Sequence, residues 1–130
     1  MSTEKIHKIL VVDDSKLIHK MYEVMLRPHA LVYALNGREG LQKLAEHADL
    51  DLIILDINMP QINGLEFLGH AKANPAFARV PVMIVSTEGK DEDILRGLTA
   101  GAAAYIKKPF QRDQLLQAID RMHAAHASAA

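Results

Sequence analysis

The sequence predicts an α/β fold: a doubly wound sheet of five parallel strands, with strand and helix alternating five times. Two observations carry this. Apolar runs stand at 9–12 (ILVV), 52–55 (LIIL) and 82–85 (VMIV) without polar alternation, the pattern of strands covered on both faces. Segments of helical spacing separate them, and strand–helix–strand order folds with right-handed crossovers and helices on both sides of the sheet.

Taken in order, the first strand is 9–12. Leu17, Met21, Val24 and Met25 then repeat at helical spacing after Ser15, and Pro28 stops that helix. A weaker run, LVYAL at 31–35, is the second strand. After Asn36-Gly37, Leu41, Leu44 and Ala45 mark a second helix, and both helices are expected to lie against the sheet. LIIL is the third strand. Asn63 followed by Glu66 has the form of an N-cap with its partner three residues on, opening a third helix through Leu65 and Leu68 that Asn74-Pro75 ends. VMIV is the fourth strand. Asp91, Glu92 and Asp93 suit a helix N-terminus; Ile94, Leu95 and Leu98 continue it, and Gly101 closes it. AAYIKKP supplies a short fifth strand. Leu115, Leu116, Ile119 and Met122 form a last amphipathic helix, and the tail from about 124 to 130 is expected to fray for lack of apolar bulk.

With 130 residues and 49% hydrophobic content, one domain over 1–130 is expected. Fifteen basic and sixteen acidic side chains give a net charge of -1, so no general field draws nucleic acid. Cysteine is absent, which excludes disulfides and thiolate metal sites. The opening MSTEKIHK has no signal-peptide core and no run is long enough to span a bilayer; the expectation is a cytoplasmic protein without membrane insertion. The seven histidines show no metal-binding spacing and are expected to be exposed.

In such sheets ligands bind beyond the C-terminal strand ends, where strand order reverses. Those ends carry Asp13 and Asp14 after the first strand, Asp56 after the third, Ser86 after the fourth and Lys108 after the fifth. Singly each has a plain reading: Asp14 or Ser15 as a helix cap, Lys107-Lys108 as a solvated basic pair, INMP as a turn. If the first and third strands are neighbours, three carboxylates share one crevice, which suits a hard divalent cation such as Mg²⁺. Continued strand alternation would aim Asp14 rather than Asp13 at Asp56. A carboxylate there can accept a phosphoryl group if its charge is spread over metal and fixed donors, and Lys108 and Ser86 offer those.

The set VVDDS, LDINMPQINGLEF, PVMIVST and YIKKPF, in this order over nearly the whole chain, resembles the receiver domain of two-component response regulators, in particular the stand-alone chemotaxis type. The resemblance implies a flavodoxin-like (βα)5 sheet in the order 2-1-3-4-5. It implies that a histidine kinase phosphorylates Asp56, that Asp13, Asp14, Asp56 and the main-chain carbonyl of Asn58 hold Mg²⁺, and that Lys108 is the family's invariant lysine. Ser86 matches the switch hydroxyl and Tyr105 the switch aromatic, and the Lys108-Pro109 bond matches one that is usually cis. Thr87 departs from the small residue common there, and its β-branch is expected to narrow access to Asp56. The implied protein is a phospho-acceptor switch in chemotaxis or motility signalling, with Mg²⁺-dependent self-phosphorylation and autodephosphorylation as its only catalysis. Output would pass through the face of the fourth helix, fifth strand and fifth helix to a protein target, with Lys90, Tyr105 and Lys107 among the contacts. A phosphorelay intermediate handing the group to another histidine is the alternative. A haloacid-dehalogenase-type phosphatase wants a second Asp two residues after its nucleophile, where this chain has Asn58, and a flavin phosphate would be repelled by DDSK.

Overall fold

The computed structural model describes residues 8–27, 29–47, 49–57, 64–86 and 91–129. Strand and helix alternate as β1 (Lys8–Val12), α1 (Lys16–Met25), β2 (Ala30–Ala34), α2 (Gly37–Glu46), β3 (Leu52–Leu55), α3 (Gly64–Ala73), β4 (Val82–Ser86), α4 (Asp91–Thr99), β5 (Ala104–Lys107) and α5 (Arg112–Ala129). All pairings are parallel, in the order β2-β1-β3-β4-β5.

Burial on both faces explains why the central strands lack alternation. Leu10, Val12, Ile53, Leu55, Val82 and Ile84 join one core with Leu44, Phe67 and Leu68 of α2 and α3. Their strand neighbours Ile9, Val11, Leu52, Ile54, Met83 and Val85 join a second core with Tyr22 of α1 and Leu115, Ile119 and Met122 of α5. Side chains of period two thus feed two apolar layers.

Local signals set the helix ends. The Ser15 hydroxyl accepts from Ile18 N, and Asn36 Oδ1 accepts from Glu39 N at 2.9 Å while the Glu39 carboxylate accepts from Leu35 N. Asn63, the cap expected for α3, lies outside the described residues. Gly101, at φ +115°, closes α4: its N–H donates to Leu98 O and that of Ala102 to Gly97 O, the paired bonds of a left-handed helix stop. At the start of α3 a Cβ on Gly64 would stand 2.3 Å from Ile57 Cα, so only glycine lets the helix close onto the chain leaving β3.

Three expectations need correction. In α1 the apolar positions Leu17 and Val24 are 77% and 64% exposed, whereas Met21 and Met25 pack half-buried against the second core as expected; the most buried positions are His19 and Tyr22, with Leu26 just beyond the helix. Tyr22 stacks on Phe110 from the α5 side, and His19 stacks on Tyr33 of β2. The partners available, not apolarity alone, chose the face. In α4, Leu95 and Leu98 are likewise exposed, and Gly97 is the residue turned inward. Third, His19 is buried, contrary to the expectation that all the histidines are exposed. The backbone of α5 is helical to Ala129.

Candidate acidic site at the strand ends

Each polar residue of the site follows a strand whose ladder still holds its backbone. Asp13 N donates to Ala34 O, Asp56 N to Val12 O and Lys108 N to Ser86 O, at 3.0, 3.0 and 2.8 Å. The side chains therefore leave rigid positions and converge beyond β1, β3, β4 and β5. One carboxylate oxygen from each of Asp13, Asp14 and Asp56 falls within 4.8 Å of the others. Lys108 Nζ stands 3.1 Å from Asp13 Oδ2 and 3.9 Å from Asp56 Oδ2. Ser86 is fully buried at the end of β4. The Lys108-Pro109 bond is cis, as the resemblance implies.

The two adjacent acids differ. Asp13 is 3% exposed and bonded on every side: its Oδ1 accepts from Ser15 N at 3.0 Å, its Oδ2 accepts from Lys108, and its carbonyl accepts from His19 Nε2 at 2.7 Å. Asp14 is exposed, and no described residue bonds its carboxylate. Strand alternation, which aims Asp14 rather than Asp13 at Asp56, ends at Val12, because the turn closed by Ser15 N on Asp13 takes over from there. Both acids nevertheless reach the crevice.

Three carboxylates against one ammonium give the crevice a negative field. The Tyr22 hydroxyl registers it: burial first, then the charges of Asp13 and Asp56, push its pKa up. The donor set is all oxygen and carboxylate-rich, which fits a hard cation such as Mg²⁺ and not a soft one. Asn58, Thr87 and Lys90 lie outside the described residues. Tyr105 pairs with Ile84 in the β4–β5 ladder, half-buried below α4. A Cβ on Gly97 would come within 3.3 Å of its ring and 2.7 Å of Ile84 Cδ1, so α4 rests on Tyr105 through a glycine.

His19 is the residue sequence reasoning missed. The signal was its i, i+3 spacing with Tyr22, masked by the more apolar stripe of Leu17, Met21 and Val24.

A family model described as the response regulator receiver domain matches residues 9–120. The chain belongs to this family. Among curated receivers, it is 33% identical over 116 residues to the chemotaxis protein CheY1 of Helicobacter pylori J99, covering 87% of this chain and 94% of that one. It is 34% identical to the chemotaxis protein CheY of Bacillus subtilis 168, covering 88% and 96%. Among solved structures, the chemotaxis protein CheY4 of Vibrio cholerae superposes with a TM-score of 0.83 at 32% identity, over 90% of this chain and 98% of that one. The chain is thus a receiver domain related to chemotaxis regulators. Among its described residues no helix is long and apolar enough to cross a membrane.

Proposed function

We propose that this receiver is a cytoplasmic phospho-acceptor switch in which Asp56 takes a phosphoryl group from the phosphohistidine of a histidine kinase. One observation carries the reading: Asp13, Asp14 and Asp56 offer oxygens within 4.8 Å of one another, with the Lys108 ammonium among them. In the transfer, a carboxylate oxygen of Asp56 forms the new bond to phosphorus as the bond from phosphorus to the imidazole nitrogen breaks, and the freed imidazole takes up a proton. Asp13 and Asp14 would hold Mg²⁺ with Asp56 and the Asn58 carbonyl. Bound there, Mg²⁺ supplies positive charge for the phosphoryl oxygens. Lys108 turns from the carboxylates toward the incoming group, and the Ser86 hydroxyl donates to a further oxygen.

Output then follows from packing. Drawing Ser86 toward the phosphoryl group frees space for Tyr105, whose ring lies under Gly97, so α4 and β5 shift together. Carrying the population from one part in a hundred to ninety-nine requires about 5.5 kcal/mol of differential binding. A groove of about 950 Å³, lined by Tyr105, Ile106 and Lys107 of β5 with Arg121 of α5 and with Lys72 and Arg79 from α3 and the segment before β4, supports the β5 and α5 part of the partner face. Its charged lining is entirely cationic, which favours an acidic partner segment.

The test is incubation with Mg²⁺ and a small phosphodonor, read by intact mass. One phosphoryl adduct on wild type and none on Asp56→Asn is the expected result; an undiminished adduct on the variant would overturn the assignment.

A further inference from the structure

Asp14 is the least constrained member of the acidic site. With no described side-chain partner, the position of its carboxylate depends on the peptide unit that joins it to Asp13. The turn that Ser15 N closes on the Asp13 carboxylate encloses that unit, and its own carbonyl is held by His19: the Asp13 carbonyl accepts from His19 Nε2 at 2.7 Å in a buried contact. A carbonyl can only accept, so this ring nitrogen carries the proton. The ring itself is clamped. It rises from α1 and stacks on Tyr33 at 4.7 Å between centroids and 18° between planes, while Tyr33 sits on β2 opposite Val11 of β1.

We infer that His19 is a positioning residue for the acidic site: by fixing the peptide plane between Asp13 and Asp14, it sets where the Asp14 carboxylate stands relative to Asp13 and Asp56. The inference rests on the metal-binding reading proposed above. A histidine buried only to fill the core would need some acceptor, but the acceptor here is the one carbonyl between the two site acids. Outer contacts of this kind act by orienting the ligands that touch the metal, and their loss typically lowers metal affinity by about ten- to a hundredfold.

Donor and stack can be separated by substitution in the full chain. His19→Phe keeps the ring on Tyr33 and removes the N–H; His19→Gln keeps an N–H within reach and removes the ring. Mg²⁺ affinity is measured by calorimetry, and the mobility of the Asp14 amide by ¹⁵N relaxation in metal-free protein. The expected result is that His19→Phe weakens Mg²⁺ binding about tenfold or more and loosens the Asp14 amide, while His19→Gln stays near wild type. If His19→Phe fails to fold, His19→Leu replaces it with the same expectation. Mg²⁺ affinity in the donorless variant within about twofold of wild type would overturn the inference and leave the metal site standing. Equal weakening in His19→Gln would also overturn it, since the stack would then be what matters. Absence of Mg²⁺ binding in wild type would instead overturn the metal reading, and this inference with it.

Discussion

The Lys108 ammonium is 3.1 Å from the carboxylate of Asp13 and 3.9 Å from that of Asp56, bridging the ends of β1 and β3 from beyond β5. Strands two and three places apart in the sheet are tied at one point of charge. Without a metal, this cation offsets part of the crowding of acids.

Lys108→Met keeps the stem and removes the charge. Metal-free protein should lose about 1–3 kcal/mol in urea unfolding, because the buried Asp13 carboxylate is left without its ion partner. Mg²⁺ should restore a larger share of stability to the variant than it adds to wild type. A variant as stable as wild type in the absence of metal would show that Lys108 offsets nothing.

Asp13→Ala and Asp14→Ala should separate, although the residues are adjacent. Asp13 accepts from Ser15 N and from Lys108 while almost fully buried, so its loss should destabilise the metal-free protein by about 1–3 kcal/mol. Asp14 is exposed and contributes repulsion, so its loss should leave the metal-free melting temperature unchanged or raise it. Both should shrink the rise in melting temperature on adding Mg²⁺. Equal melting of the two metal-free variants would contradict the asymmetry.

Tyr22 should make stability fall in alkali. Its folded pKa is raised by burial and by the charges of Asp13 and Asp56, whereas an unfolded tyrosine ionises near 10. Above that value the unfolded chain gives up a proton that the folded one keeps, so the stability present at lower pH is lost as pH rises, by up to about 1.4 kcal/mol per unit. Among the described residues the buried Tyr22 hydroxyl has no hydrogen-bond partner. Tyr22→Phe should therefore stabilise by about 1 kcal/mol at neutral pH and flatten the decline between about pH 9 and about pH 11. Urea unfolding at both pH values decides this; a decline as steep as wild type would assign it to other groups.

Gly97→Ala sets helix propensity against space. Alanine favours the helix by about 1 kcal/mol, yet its Cβ would meet Ile84 Cδ1 at 2.7 Å and the Tyr105 ring at 3.3 Å. The steric cost should cancel the gain and displace Tyr105, visible as a change in its ring proton shifts. A variant stabilised by the full propensity gain, with Tyr105 unmoved, would show that α4 does not rest on that ring.

The sequence by itself determined the elements and which polar residues stand at the strand ends. Runs such as ILVV and LIIL are legible because both faces of a central strand are dry, so no polar residue interrupts them. Ser15, Asn36 and Gly101 mark helix ends because capping is local chemistry. Asp13, Asp14, Asp56, Ser86 and Lys108 could be picked out because each stands where a strand stops. The facing of side chains was decided by tertiary structure alone. Leu17 and Val24 have the spacing of a buried stripe, yet α1 turns His19 and Tyr22 inward, since Tyr33 and Phe110 offer rings to stack on and Asp13 a carbonyl to donate to. Gly97 reads as a weak point in a helix, and the fold uses it as the gap that admits Ile84 and Tyr105. The difference between Asp13 and Asp14 belongs to the same class. Spacing along the chain fixes which residues can share a face, but which face is buried depends on partners that only the folded sheet brings near.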